Sequence, residues 1–284
     1  MSELVNKYLT KADIASIEIL KKAIKSDTIT ITCMGLYNHG KSTLLNTLIK
    51  DFEYKTFKTA DVRETSVNKT VELDNIKFVD TPGLNARVHD DKRVMDAIKE
   101  SDINLFVHTV TTGEFVEKEM EFLHNVKNHW KSPQEFIDRT IFVVTRIDKA
   151  SNEIDITKTV EKMSSQISEI FNSEATIIPV SAVRYTKGHV ESKNLLIKKS
   201  NIEALEKSMG DLSNEILSSI RETRRVRLEN KYADLIRRFS SKFQENKLEI
   251  TKQKRERKKY HNSLNKDITT IESTLKNMYS KLGD

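Results

Sequence analysis

Apolar residues recur along the first part of this 284-residue chain in two rhythms that take turns. Leu4, Tyr8, Leu9, Ala12, Ile17, Leu20 and Ile24 keep a helical period across residues 3–25. Thr28–Met34, rich in β-branched residues, reads as a buried strand, and STLLNTLIK shortly after it as a helix. Short strands Asn68–Leu73 and Ile76–Val79 flank the turn residues Asp74 and Asn75. Then come helix Asp91–Glu100, strand Asn104–His108, helix Phe115–Asn128 and strand Thr140–Thr145. A helix near Ile156–Phe171 and the strand Ala175–Val180 complete the series. Strands that alternate with helices predict an α/β architecture, a mostly parallel sheet covered on both faces.

After Ser181 the rhythm changes. VRYTKGHVESKNLLIKKSN reads as a charged, irregular connector. No proline interrupts Ile202 to Leu282, and Gly210 is the one glycine in that span. Leu264, Ile268, Ile271, Leu275, Met278 and Leu282 step by 4, 3, 4, 3 and 4, a coiled-coil seam. The seam needs a helix partner, within the chain or outside it. The expected division is an N-terminal helix over residues 1–27 that packs with the C-terminal helices, an α/β domain over 28–200, and a helical bundle or coiled-coil segment over 201–284.

Charge alters this picture in one place. The net charge is +6, but Arg221 to Lys259 alone holds 15 basic and 6 acidic residues, a net of +9. The front of the protein is nearly neutral. A solvated helix face, an anionic membrane and nucleic acid are the three readings of that basic segment. Cys33 is the single cysteine, so no disulfide forms within the chain and no thiol-rich metal site exists, as expected in a reducing compartment. No run approaches the roughly 20 apolar residues of a membrane span. The expected location is cytoplasmic, with peripheral membrane contact left open.

Candidate chemistry clusters where the scarce glycines do. GLYNHGKST, Gly35 to Thr43, follows a strand, precedes a helix and has the spacing G-x-x-x-x-G-K-[ST] of a phosphate-binding loop. Its backbone N–H groups, with Gly40 and Thr43 at the helix entry, would cradle an anion. Lys41 would reach the β- and γ-phosphates, and Ser42 would ligate Mg²⁺. FVDTPG, Phe78 to Gly83, supplies Asp80 for Mg²⁺ through water and the Gly83 N–H for the γ-phosphate. FVVTRID ends its strand with Thr145, Arg146 and Asp148. A carboxylate at that position accepts from N1–H and the exocyclic amine of guanine. Adenine would leave it unpaired, a penalty of about 10⁴-fold. Arg146 would lie along the base, and Ser181 and Ala182 of PVSA would bring an N–H to guanine O6. Between the first two motifs, Thr65 is the choice for a Mg²⁺-coordinating threonine, with Ser66, Thr59 and Thr70 as competitors and Arg63 as an internal arginine finger or a solvated arginine.

In this order the motifs resemble P-loop GTPases of the translation-factor-related class over roughly residues 28–182. The flanking helices resemble those of bacterial dynamin-like GTPases. The resemblance implies a Mg²⁺-dependent GTPase bound to GTP or GDP, with Asn38, Lys41, Thr65 and Gly83 as catalytic residues. It also implies activation by a homodimer or hetero-assembly through the nucleotide face and the C-terminal helices. Leu84 stands where Ras-like members carry the water-orienting glutamine, so catalysis has another source. In relatives with asparagine at the position of Asn38, a K⁺ ion beside the phosphates is implied. The alternative is that Asn38 merely bonds the loop or a dimer partner. Asn85 is a weaker replacement for the glutamine, and His39 reads as a rim residue of the nucleotide site. Two other functions stay open: an Era-like or tRNA-modification-like GTPase acting on RNA or ribosomes, and a GTP-binding scaffold with little hydrolysis.

Overall fold

The computed structural model describes residues 9–57, 69–84, 90–129 and 133–280. Helix α1, Lys11–Ile24, leads into strand β1, Ile29–Met34. Helix α2 (Lys41–Leu48), strands β2 (Lys69–Leu73) and β3 (Ile76–Asp80), helix α3 (Asp90–Glu100) and strand β4 (Ile103–Thr109) follow. Helices α4 (Glu117–His129) and α5 (Pro133–Asp138) precede strand β5 (Thr140–Thr145). Helix α6 (Glu153–Phe171) and strand β6 (Thr176–Pro179) come next. Helices α7 (Ala182–Val190), α8 (Asn194–Ser200), α9 (Ile202–Leu217) and α10 (Ile220–Ser280) complete the series.

The six strands lie in the order β2-β3-β1-β4-β5-β6, and all neighbours are parallel except the β2–β3 hairpin. This is the mostly parallel sheet that the alternating pattern predicts. Side-chain period explains its two layers. Ile31, Cys33, Leu105, Val107, Ile141 and Val143 face one side, where they meet Leu44 and Leu45 of α2, Tyr185 of α7 and Leu205 and Met209 of α9. Met34, Phe106, Phe142 and Val144 face the other, against Ile98 of α3, Leu123 of α4 and Met163 and Ile167 of α6. All seven residues of β4 and all six of β5 are buried, as central parallel strands are.

One expectation about the fold needs correction. The stretch 183–201 is not an irregular connector but helices α7 and α8. They touch so closely at Gly188 that a Cβ there would lie 2.7 Å from Ile197 Cγ1. The short helix α5 carries no sequence signal beyond its opening proline, a residue suited to a first helical turn.

The chain divides into two compact units, Ala15–Arg227 and Met1–Ile14 with Leu228–Asp284. In the first, Arg224 is only 1% exposed. Its guanidinium donates to Asp102 Oδ1 (3.2 Å) and Oδ2 (2.6 Å) and to the carbonyls of Ala23, Ser26 and Thr28. Arg227 adds a third bond to Asp102 at 2.9 Å. In the second unit, Thr10 and Asp13 cap α1 reciprocally, and Asp13 pairs with Arg238 at 2.7 Å and Lys231 at 3.6 Å. Part of the basic segment is therefore internal structure. Residues 242–259 are exposed throughout. Among the described residues, no helix is long and apolar enough to cross a membrane.

Candidate functional site

Strand β1 runs straight into the phosphate loop. Gly35 has φ +143°, and a Cβ on it would lie 2.1 Å from the Val107 carbonyl oxygen, so only glycine lets the loop leave the sheet here. The chain then turns through Asn38 (φ 62°) and Gly40 into α2, which begins at Lys41. Thr43 is half-buried in the first turn of that helix. The Lys41 ammonium is buried and donates to the carbonyls of Gly35 (3.1 Å) and Leu36 (3.0 Å). Burial pushes the Lys41 amine below its usual value, against the pull of Asp80 and Cys33.

Asp80 ends β3 beside Cys33 of β1 in parallel register. Ser42 Oγ donates to Asp80 Oδ2 at 2.7 Å, while Asp80 Oδ1 is buried with no hydrogen-bond partner among the described residues. Burial raises the Asp80 carboxyl, although Ser42 and Lys41 pull it down. Gly83 passes the loop so closely that a Cβ would meet Tyr37 N at 2.8 Å and Tyr37 Cα at 2.9 Å. Leu84 then forms a parallel bridge with Leu36, its N–H donating to Gly35 O at 3.1 Å, and its side chain is buried.

The base-side residues arrive from β5 and β6. Thr145 Oγ1 lies 2.6 Å from His39 O and 3.0 Å from His108 O, holding the loop against β4. Arg146 takes a left-handed backbone (φ 61°), and its guanidinium donates to Asn38 O at 2.6 Å. The Asn38 side chain is exposed. Asp148 sits in the turn Ile147–Lys149, half-buried, and accepts a hydrogen bond from the Ser181 hydroxyl. Ser181 also caps α7, accepting from Arg184 N–H at 3.1 Å, so Ala182 opens that helix. The loops after β1, β3, β5 and β6 thus converge on one edge of the sheet, at the carboxyl ends of the strands.

Thr65 and its neighbours Thr59, Arg63 and Ser66, together with Asn85, lie outside the described residues. Thr70 lies in β2, exposed. His39 differs from the sequence expectation: it is no rim residue but is 6% exposed. Its Nδ1 stands 3.3 Å from Glu119 Oε1, and its ring meets His108 edge-on at a centroid distance of 5.4 Å. Sequence reading missed the partners. The only signal was a histidine near the end of a mostly apolar strand, INLFVHT.

A lysine-bearing loop, a strand-end aspartate bonded to its serine, and a second carboxylate held by the next strand's serine define a P-loop GTPase domain. The chain belongs to the 50S ribosome-binding GTPase family, whose model matches residues 30–181. An uncharacterized protein of Acinetobacter baylyi is 36% identical over 179 residues, covering 62% of this chain and 40% of that protein. The tRNA modification GTPase MnmE of Pseudothermotoga lettingae is 27% identical over 193 residues, covering 64% of this chain and 38% of that protein. The chain thus spans about 40% of the length of such relatives. Among solved structures, the bacterial dynamin GTPase LeoA from ETEC shares the fold with a TM-score of 0.52 at 15% identity. It covers 84% of this chain and 45% of LeoA.

Proposed function

We propose that this protein hydrolyses GTP as a dynamin-like GTPase that needs Mg²⁺ and is activated when copies assemble, with the helices outside the GTPase domain carrying the resulting motion or membrane remodelling. The observation that carries the guanine and phosphate parts is the pairing of Ser42 with Asp80 at one end of the site and Ser181 with Asp148 at the other. The buried Oδ1 of Asp80, without a hydrogen-bond partner among the described residues, fits a hard cation. Ser42 and Asp80 would hold Mg²⁺, with Thr65 as a further ligand, and the ion supplies positive charge at the β- and γ-phosphates. Lys41 exchanges its loop carbonyls for phosphate oxygens, and the Gly83 N–H bonds the terminal phosphate. Asp148 reads the guanine edge, beside Arg146 and the first amide of α7 at Ala182. Leu84, buried, cannot orient water. Asn38, exposed at the loop, is then the residue that would hold K⁺ and place charge where it develops.

The dynamin-like part draws support from the likeness in fold to LeoA, which covers 84% of the chain and so exceeds the family match at residues 30–181. A second reading, an RNA- or ribosome-associated GTPase, is favoured by the exposed basic residues 242–259 and by the likeness to MnmE. Turnover of GTP but not ATP, measured at several protein concentrations in K⁺ and in Na⁺, tests the leading reading. A rate per molecule that rises with concentration and is faster in K⁺ is expected. A rate that is flat with concentration, in protein that copurifies with RNA and ignores anionic liposomes, selects the second reading. Binding without turnover leaves a scaffold.

A further inference from the structure

Beneath the phosphate loop three side chains from distant parts of the sequence meet. His39 comes from the loop, His108 from the end of β4 and Glu119 from the first turn of α4, and they are 6%, 0% and 0% exposed. None has a role in the nucleotide chemistry above, and the Lys41, Ser42 and Asp80 side chains serve a different anion and cation.

The proton arrangement is constrained. His108 Nε2 lies 2.9 Å from Gly113 O and 3.1 Å from Thr112 Oγ1, whose own hydrogen goes to Thr109 O at 2.9 Å. A carbonyl only accepts, so Nε2 carries a hydrogen. His108 Nδ1 then faces both Glu119 oxygens at 3.0 Å. Val116 N–H already donates to Oε2 at 3.1 Å, which suits an ionised carboxylate. His39 Nδ1 approaches Oε1 at 3.3 Å without a hydrogen-bonding alignment, a buried nitrogen with no hydrogen-bond partner among the described residues. Three basic atoms therefore point at one spot and want something positive there.

The candidate donor atoms all lie within 4.8 Å of one another. A tetrahedral ion with bonds of about 2.0–2.2 Å holds its ligands roughly 3.3 Å apart, so little movement would close the set. The Nε2–H bond to Gly113 O is the outer contact that orients a metal-bound imidazole. Two imidazoles and one carboxylate suit a borderline-soft ion, whereas Mg²⁺ and Ca²⁺ take oxygen.

We propose that His39, His108 and Glu119 bind one divalent transition-metal ion of the zinc class, tying the phosphate loop to β4 and α4. The site stands apart from the Mg²⁺ position at Ser42 and Asp80, and its failure would leave the nucleotide reading intact.

The test uses the full, untagged chain, stripped with chelator and titrated with ZnCl₂ by calorimetry, without Mg²⁺ or nucleotide. One ion per chain with a submicromolar dissociation constant is expected. Glu119→Gln and His108→Gln should each weaken binding by at least about 100-fold, beyond what outer contacts cost. No saturable binding, or binding unchanged in both variants, overturns the proposal and leaves a proton-bridged cluster. Should either variant fail to fold, the Co²⁺ form of the unmutated chain decides. An intense visible spectrum of low coordination number with nitrogen ligands supports the site, and a weak octahedral all-oxygen spectrum overturns it. Binding of a fluorescent GDP, measured separately, reports on the nucleotide site.

Discussion

Asp80 and Asp148 are both carboxylates at strand ends, but their surroundings set them different tasks. Asp80 is 4% exposed, one of its oxygens has no hydrogen-bond partner among the described residues, and burial raises its carboxyl. An acid raised on folding costs stability once the pH is above its unfolded value, because its charged form is disfavoured inside. Asp80→Asn should therefore melt no lower than the parent without nucleotide, and up to about 1 kcal/mol more stably, by calorimetry at pH 7. The same variant should lose most of the Mg²⁺ dependence of its GDP affinity. Asp148 is half-buried and accepts a hydrogen bond from the Ser181 hydroxyl. In Asp148→Asn the preference should move from guanine to xanthine nucleotides, by several hundred-fold or more in competitive binding. The strand-end placing of both residues was legible in the sequence because each belongs to a short motif of local spacing. His39 was not. Its burial depends on Glu119, 80 positions away, and no local pattern announces that meeting.

At the scale of elements, short apolar and β-branched runs revealed the six described strands, the central ones most clearly because a doubly covered sheet buries both of their faces. Helices α7 and α8 escaped for the opposite reason. They are short, Gly188 interrupts α7, and few of their positions are buried, so their helical period is faint. The anchor at the start of α10 escaped too, since an arginine within a basic run reads as solvated until Asp102 is found beneath it. Burial would raise Asp102, but Arg224 and Arg227 outweigh it and hold the carboxyl low. Burial meanwhile draws the Arg227 guanidinium down to about 10. For Asp102 the sign is that of a depressed acid. Its stabilisation is complete above the unfolded value of about 3.9 and is lost as the pH falls below it. Arg224→Ala should cost about 3–5 kcal/mol in urea unfolding at pH 7, because it breaks a buried pair and leaves Asp102 with Arg227 as its remaining guanidinium. That deficit should shrink as the pH falls from about 4 toward 2, where the parent loses the same pair.

At the scale of the whole molecule, the sequence seam is present and uncovered. Leu264, Ile268, Ile271, Leu275 and Met278 lie on α10 with 46–61% exposure. Exposed positions contribute little to the fold of a single chain. A double variant, Ile268→Asp with Leu275→Asp, should keep the parent's stability in dilute solution to within about 0.5 kcal/mol, read from thermal unfolding. On the assembly reading, it should flatten the dependence of GTP turnover on protein concentration. A melting temperature that falls sharply would mean that the seam already packs within one chain.

The Arg224 anchor also decides where this protein can be cut. Scissors set at the edges of the recognised family, residues 30–181, would remove the guanidinium that clasps Asp102. They would also strip Ile202, Leu205, Met209, Ile216 and Ile220 from one layer of the sheet and leave greasy β-strands facing water. The smallest piece worth expressing runs from about residue 15 to residue 227, far beyond what homology alone would keep.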